Sequence, residues 1–186
     1  MSTKSRCRAR KVPLSGEQLS LSEINDYYED VTAALKRYFH PTNGYYDEKF
    51  AGYSTTELNS ELQACLEEID RTSTLSVLSA IEAIFRIDYW ERCYTKKKDP
   101  ISRVFRQLYK KEGPRVSFDK HILLVWERES TGASFIIEKL RDVLKYRHWL
   151  AHGRYWVLKT GKRNRYDYRD VFLLAETLTN SFPFVS

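Results

Sequence analysis

A chain of 186 residues with 42% hydrophobic and 14% aromatic content is long enough for a real core and too apolar for a disordered polyelectrolyte. Seven glycines and five prolines are few for this length, which disfavours a many-turned β fold and favours helices. The net charge of +6 excludes an acidic, solvating composition and admits a polyanion as partner.

Residues 1–16 form a basic arm without apolar periodicity, predicted to be disordered, and residues 17–186 are expected to form a single domain. A first helix is predicted from about Ser20 to Tyr38, where Leu21, Ile24, Tyr28, Val31, Leu35 and Tyr38 recur near a 3.6 period. The string HPTNG then breaks it and a Tyr-rich loop follows. Ser54 to Glu57 has capping-box spacing and opens a second helix, with a break or kink expected at Asp70–Thr74. The segment from Thr74 to Tyr94 is apolar almost all round and reads as a central helix. It carries Glu82 and Arg86 four residues apart, either an ordinary helix pair or a buried one that supports a site.

Two short amphipathic helices are predicted over residues 101–111 and 117–129, the first stopped by EGP and the second capped by Ser117. A longer helix follows from Thr131 to about His152, with Gly153 where a left-handed cap belongs. A basic loop or short hairpin around Thr160–Gly161 precedes the last helix, capped by Asp167. The sum is an all-α bundle of about five to seven helices. No run of about 18 apolar residues suggests a membrane span. The N-terminus does not read as a secretory signal, and the widely spaced Cys7, Cys65 and Cys93 suit reduced thiols in a cytoplasm.

Charge is unevenly spread. Residues 17–94 carry fifteen acidic and six basic side chains, whereas residues 139–169 carry ten basic and two acidic. Within that basic stretch lies LKYRHWLAHGRYW, residues 144–156. The stripe Ile136, Leu140, Val143, Leu144 continues at helical spacing to Arg147 and His148, with His152 on nearly the same face. Polar groups are therefore expected where the pattern calls for core. Three readings are open. His148 and His152 could ligate zinc, although the glutamate of H-E-x-x-H is missing, His40 and His121 sit in unmarked contexts, and Arg147 would set a cation beside the metal. The cluster could be a satisfied helix end packed on Trp149 and Trp156. Or it could act on a phosphodiester: histidine can take either proton role near neutrality, and arginine is a permanent cationic fork for phosphate oxygens. Tyr155, Trp156 and Tyr166 could stack unpaired bases or belong to the core.

The string RHWLAH, Arg147 to His152, has the R-x4-H spacing of HEPN (higher eukaryotes and prokaryotes nucleotide-binding) domains, with a polar His148 after the arginine and the continuation AHGR. The chain resembles that family over roughly residues 54–182. The resemblance implies an all-α HEPN-like bundle and, in many members, a metal-independent endoribonuclease that acts as a homodimer with two motifs in one cleft. Such proteins serve as toxins or anti-phage effectors in the cytoplasm, some with an antitoxin or nucleotidyltransferase partner. It implies Arg147 and His152 as the catalytic pair, with His148 at a variable polar position more often held by Asn or Asp. Glu82 and Arg86 are the candidate supporting pair. Arg154, Lys159, Lys162, Arg163 and Arg165 are the candidate RNA contacts. No metal or other cofactor is expected. The competing expectations are a HEPN-like binding partner of a nucleotidyltransferase or antitoxin that cuts nothing, and a nucleic-acid-binding regulatory bundle.

Overall fold

The computed structural model describes residues 11–158 and 166–185. Among them are seven α-helices and no strand: α1 Leu21–Tyr38, α2 Tyr46–Phe50, α3 Thr55–Tyr94, α4 Pro100–Glu112, α5 Leu124–Glu129, α6 Ser134–Ala151 and α7 Tyr168–Ser181. A π-helical turn, Phe118–Leu123, leads directly into α5. The protein is thus all-α, as the scarcity of glycine and proline predicts. No helix among the described residues is long and apolar enough to cross a membrane. Most of the loop proposed around Thr160–Gly161 lies outside the described residues.

The helix starts follow the capping chemistry written in the sequence. At α1 the Ser20 amide donates to the Glu23 carboxylate at 2.8 Å and the Glu23 amide donates back to the Ser20 hydroxyl at 3.2 Å. Ser54 and Glu57 make the same reciprocal pair at the start of α3. Asp99 caps α4 with Pro100 in its first turn, and Gly113, at φ 78°, ends it. The Tyr-rich segment after α1 holds one short helix, α2, because Phe50 is buried in a ring cluster with Phe39 at 5.1 Å and Tyr46 at 5.4 Å.

The break expected at Asp70–Thr74 does not occur: α3 runs unbroken through it. Serine and threonine weaken helices by competing for backbone groups, but Thr72 and Ser76 bond back into their own helix. The Thr72 hydroxyl donates to the Glu68 carbonyl at 3.0 Å and the Ser76 hydroxyl to the Thr72 carbonyl at 3.2 Å. Ser73 and Thr74 are buried with hydroxyls that make no hydrogen bond among the described residues, so packing of the helix through Val77, Leu78 and Ile81 outweighs their poor propensity. Asp70 has a separate task, accepting the Tyr168 amide at 3.1 Å at the start of α7.

The chain divides into two compact units. One holds Glu82–Lys139 with the described residues of its two ends. Its core is aromatic: Phe85, Phe105, Trp126 and Phe182 are buried, with Phe184 set edge-on to Phe85 at 4.9 Å. Threaded beside it is a buried ionic network. Arg92, 3% exposed, bonds the fully buried Asp88 at 2.8 Å and Asp99 at 2.9 Å, and donates to the Pro183 carbonyl. The Val185 amide donates to Asp88 at 2.9 Å, so the network ties down the chain end. Burial pushes the Asp88 carboxyl above the ordinary aspartate range, against the pull of the Val185 amide and Arg92.

The other unit holds Leu19–Ile81 and Leu140–Ser181. Here α1 meets α7 through Tyr28, stacked on Tyr168 at 3.8 Å, while the Tyr168 hydroxyl donates to the Asn25 side chain at 3.2 Å.

Removing one partner of a buried ion pair strands the other charge in low dielectric. Asp88→Ala should therefore lower the free energy of unfolding by about 3–5 kcal/mol, read by urea denaturation. A change under about 0.5 kcal/mol, the range of an ordinary surface substitution, would show that the network does not hold this unit together.

Candidate active site at the end of α6

The buried stripe of α6 runs Ile137, Leu140, Val143, Tyr146, Leu150. This corrects the expectation that Arg147 and His148 continue it. Tyr146, 0% exposed, takes the core position, because each three-residue step from Ile137 through Leu140 and Val143 turns about 300°, short of a full turn, and carries the stripe round to it. Its ring stacks on Trp149 at 5.6 Å. Arg147 is half-buried, with its Nε out of solvent. His148 and His152 are exposed. They stand one helical turn apart with ring centroids 4.3 Å from each other and planes inclined at 53°.

The helix then stops by a local device. Gly153 has φ 84°, and the Arg154 amide donates across it to the Trp149 carbonyl at 3.1 Å, the six-to-one bond of a Schellman reversal. Arg154 is itself left-handed, at φ 59°, a conformation that costs a non-glycine residue on the order of 1 kcal/mol. A bidentate ion pair offsets that strain: its two terminal nitrogens reach the Glu68 carboxylate at 2.6 and 2.7 Å. The Arg154 hydrogen bonds, joined by Arg71 at 3.4 Å, hold the Glu68 carboxyl below its ordinary value.

The reversal brings Trp156 back beside the helix. The Trp149 indole N–H donates to the Trp156 carbonyl at 2.7 Å, and the Trp156 ring lies 5.7 Å from His148. His148, His152, Tyr155 and Trp156 line an open cavity of about 330 Å³. Tyr155 stands edge-on to Trp156 at 4.8 Å and is 84% exposed. Tyr166 instead packs near Tyr146, at 5.9 Å. Two imidazoles at an open face, with a guanidinium on the adjoining residue, can bind an anion and exchange protons with it.

Of the residues expected at the site, His148 and His152 are together, with Arg147 on the same helical turn. Arg154 is engaged by Glu68. Lys159, Lys162, Arg163 and Arg165 lie outside the described residues. Glu82 and Arg86 belong to the other unit, where Arg86 bonds Glu82 at 2.8 Å and the Val116 carbonyl at 3.1 Å. Among the described residues, no group of three His, Cys, Asp or Glu side chains is placed to hold a metal ion. Sequence reasoning missed Glu68, which is 86 residues from Arg154; only the contrast of an acidic early half with a basic late stretch points to such a pairing.

The chain matches no model of a known protein family, no curated protein and no solved structure.

Two outcomes test this geometry. A Cβ at Gly153 would meet nothing within 4 Å, so Gly153→Ala carries only the cost of the left-handed backbone, about 1–2 kcal/mol in a denaturation curve. The second concerns pH. Because Glu68 is held below its ordinary value of 4.5, its contribution is present above that value and is lost as pH falls through the lower folded value. The melting temperature of the protein should exceed that of Glu68→Gln by a constant margin from neutrality down to 4.5, and the margin should close as pH falls from there through the lower folded value. Equal melting temperatures at neutral pH would remove Glu68 as the anchor of the reversal.

Proposed function

We propose that this protein is a metal-independent endoribonuclease of the HEPN type, a cytoplasmic toxin or anti-phage effector acting as a homodimer. One observation carries the reading: His148 and His152 stand 4.3 Å apart on an open cavity, within an R-x4-H string that begins at Arg147. RNA holds its own nucleophile, so the protein need only move protons and balance charge. A general base takes the proton of the 2′-hydroxyl and the 2′-oxygen attacks phosphorus. The bond from phosphorus to the 5′-oxygen breaks, and a general acid protonates that oxygen. The products are a 2′,3′-cyclic phosphate and a 5′-hydroxyl.

His152 is the proton-transfer group in this scheme, and Arg147 is the cation that stabilises the crowded phosphorane. Two-fold pairing would set a second His152 and Arg147 across the scissile phosphate. His148, one turn from His152, orients its neighbour or supplies the second imidazole within a chain. An antitoxin or nucleotidyltransferase partner would then serve to hold such an activity off.

The test is cleavage of RNA in EDTA. His152→Ala should lose about 10²–10⁴ in rate, the ordinary worth of positioned acid–base catalysis. Arg147→Lys should not restore what Arg147→Ala removes, because a point charge lacks the planar fork. Full cleavage by both alanine variants would end this mechanism. Products without 2′,3′-cyclic phosphate ends would replace the 2′-hydroxyl with water as nucleophile.

A further inference from the structure

The cavity beside the histidines has an aromatic wall that proton transfer does not use. Trp156 is held from two sides, by the Trp149 indole bonded to its carbonyl and by the left-handed pair Gly153–Arg154 anchored on Glu68. Tyr155, next to this fixed residue, is 84% exposed. A large aromatic ring kept in water on a braced segment gains nothing from burial in the fold. At that exposure most of the ring is open to a flat ligand, and its near-perpendicular setting against Trp156 fixes its direction. The cavity, at about 330 Å³, is at the small end of ligand pockets, the size class of a single nucleotide rather than a duplex.

We infer that Tyr155, at the mouth of the cavity lined by His148, His152 and Trp156, is a stacking subsite for one unpaired nucleobase adjoining the phosphate held at the histidines. The inference rests on the reading of this cavity as an RNA-cleaving site. A base within a helix has both faces covered by its neighbours, so it reaches the Tyr155 ring only if it is unstacked. Stacking does not discriminate strongly among bases, since each has a π-face. The subsite therefore selects single-stranded or bulged RNA and sets the position of the cut relative to the exposed base, leaving base identity to other contacts.

The test uses a short oligouridine carrying one 2-aminopurine, whose fluorescence is quenched on stacking, titrated with the His152→Ala protein so that the probe stays intact. Quenching is expected with the single strand and not when the same base lies inside a stem. Adding Tyr155→Ala should abolish the quench and weaken binding about ten-fold, within the range for loss of one base–aromatic stack. Tyr155→Phe, which keeps the ring, should restore both. An unchanged quench in the Tyr155→Ala background, no quench at all, or equal quenching in a stem would each overturn the subsite. Cleavage of the unlabelled strand by the otherwise unaltered protein separates the two proposals. Tyr155-dependent quenching without cleavage would keep the subsite and sink the ribonuclease reading. Cleavage that Tyr155→Ala leaves equally fast on single strand and stem would sink the subsite and keep the ribonuclease reading.

Discussion

The ion pair between Arg154 and Glu68 fixes how the chain leaves α6, and the arrangement of the candidate site depends on it. A helix that ended at Gly153 and continued freely would leave Trp156 unplaced and His148 without an aromatic neighbour. Two successive left-handed residues, Gly153 and Arg154, turn the chain back, and only the first is suited to that conformation by its side chain. The strain at the second is tolerable because a guanidinium and a carboxylate meet in fork geometry at 2.6 and 2.7 Å. The pair is half-exposed, so its worth in stability is modest. Its effect is geometric: it selects one path for the chain, and the Trp149 indole bond then completes the placement of Trp156.

That path explains why the histidines are exposed rather than absorbed into the core. Tyr146 and Leu150 fill the buried face of the last turns of α6, which leaves His148 and His152 on the other side with water in front of them. A structural role for two histidines would normally give each ring a polar partner inside the fold. Here their closest described ring neighbours are each other and Trp156, around a cavity that opens outward. Exposure of this kind suits groups that exchange protons with a ligand.

The local chemistry of the fold was legible because it is short-range. The capping boxes at Ser20–Glu23 and Ser54–Glu57, the stop at Gly113 and the reversal at Gly153 depend on residues within a few positions of each other. What failed to read through was decided by burial. Asp70–Thr74 looks like a helix break, yet the Thr72 hydroxyl bonds back to its own turn and the core takes Ser73 and Thr74 in. Helical spacing continues the stripe of Ile136, Leu140, Val143 and Leu144 to Arg147 and His148, whereas Tyr146 is the residue buried there, because a tyrosine next to polar residues carries no mark of being fully buried. Glu68 was out of reach for a different reason, since a partner 86 residues away leaves no spacing to detect.

The distribution of charge acquires a second meaning from these contacts. Ten basic side chains between residues 139 and 169 look like the footprint of a polyanion. Yet Arg154 is bound to Glu68, and Arg169 lies 3.9 Å from Glu29 on the surface. Part of the contrast between an acidic early half and a basic late stretch is therefore satisfied within the fold. A residue count therefore overstates the unpaired positive charge of this stretch, and at physiological salt exposed charges more than about 8 Å apart are largely screened from one another. Under the proposed function, a phosphate at this face would be held less by the general field than by what lines the cavity itself: the two imidazoles and the aromatic wall. Recognition that depends on a few short-range contacts is sensitive to the shape of the nucleic acid as well as to its charge, which favours a strand that can bend its bases out over one that presents only a uniform backbone.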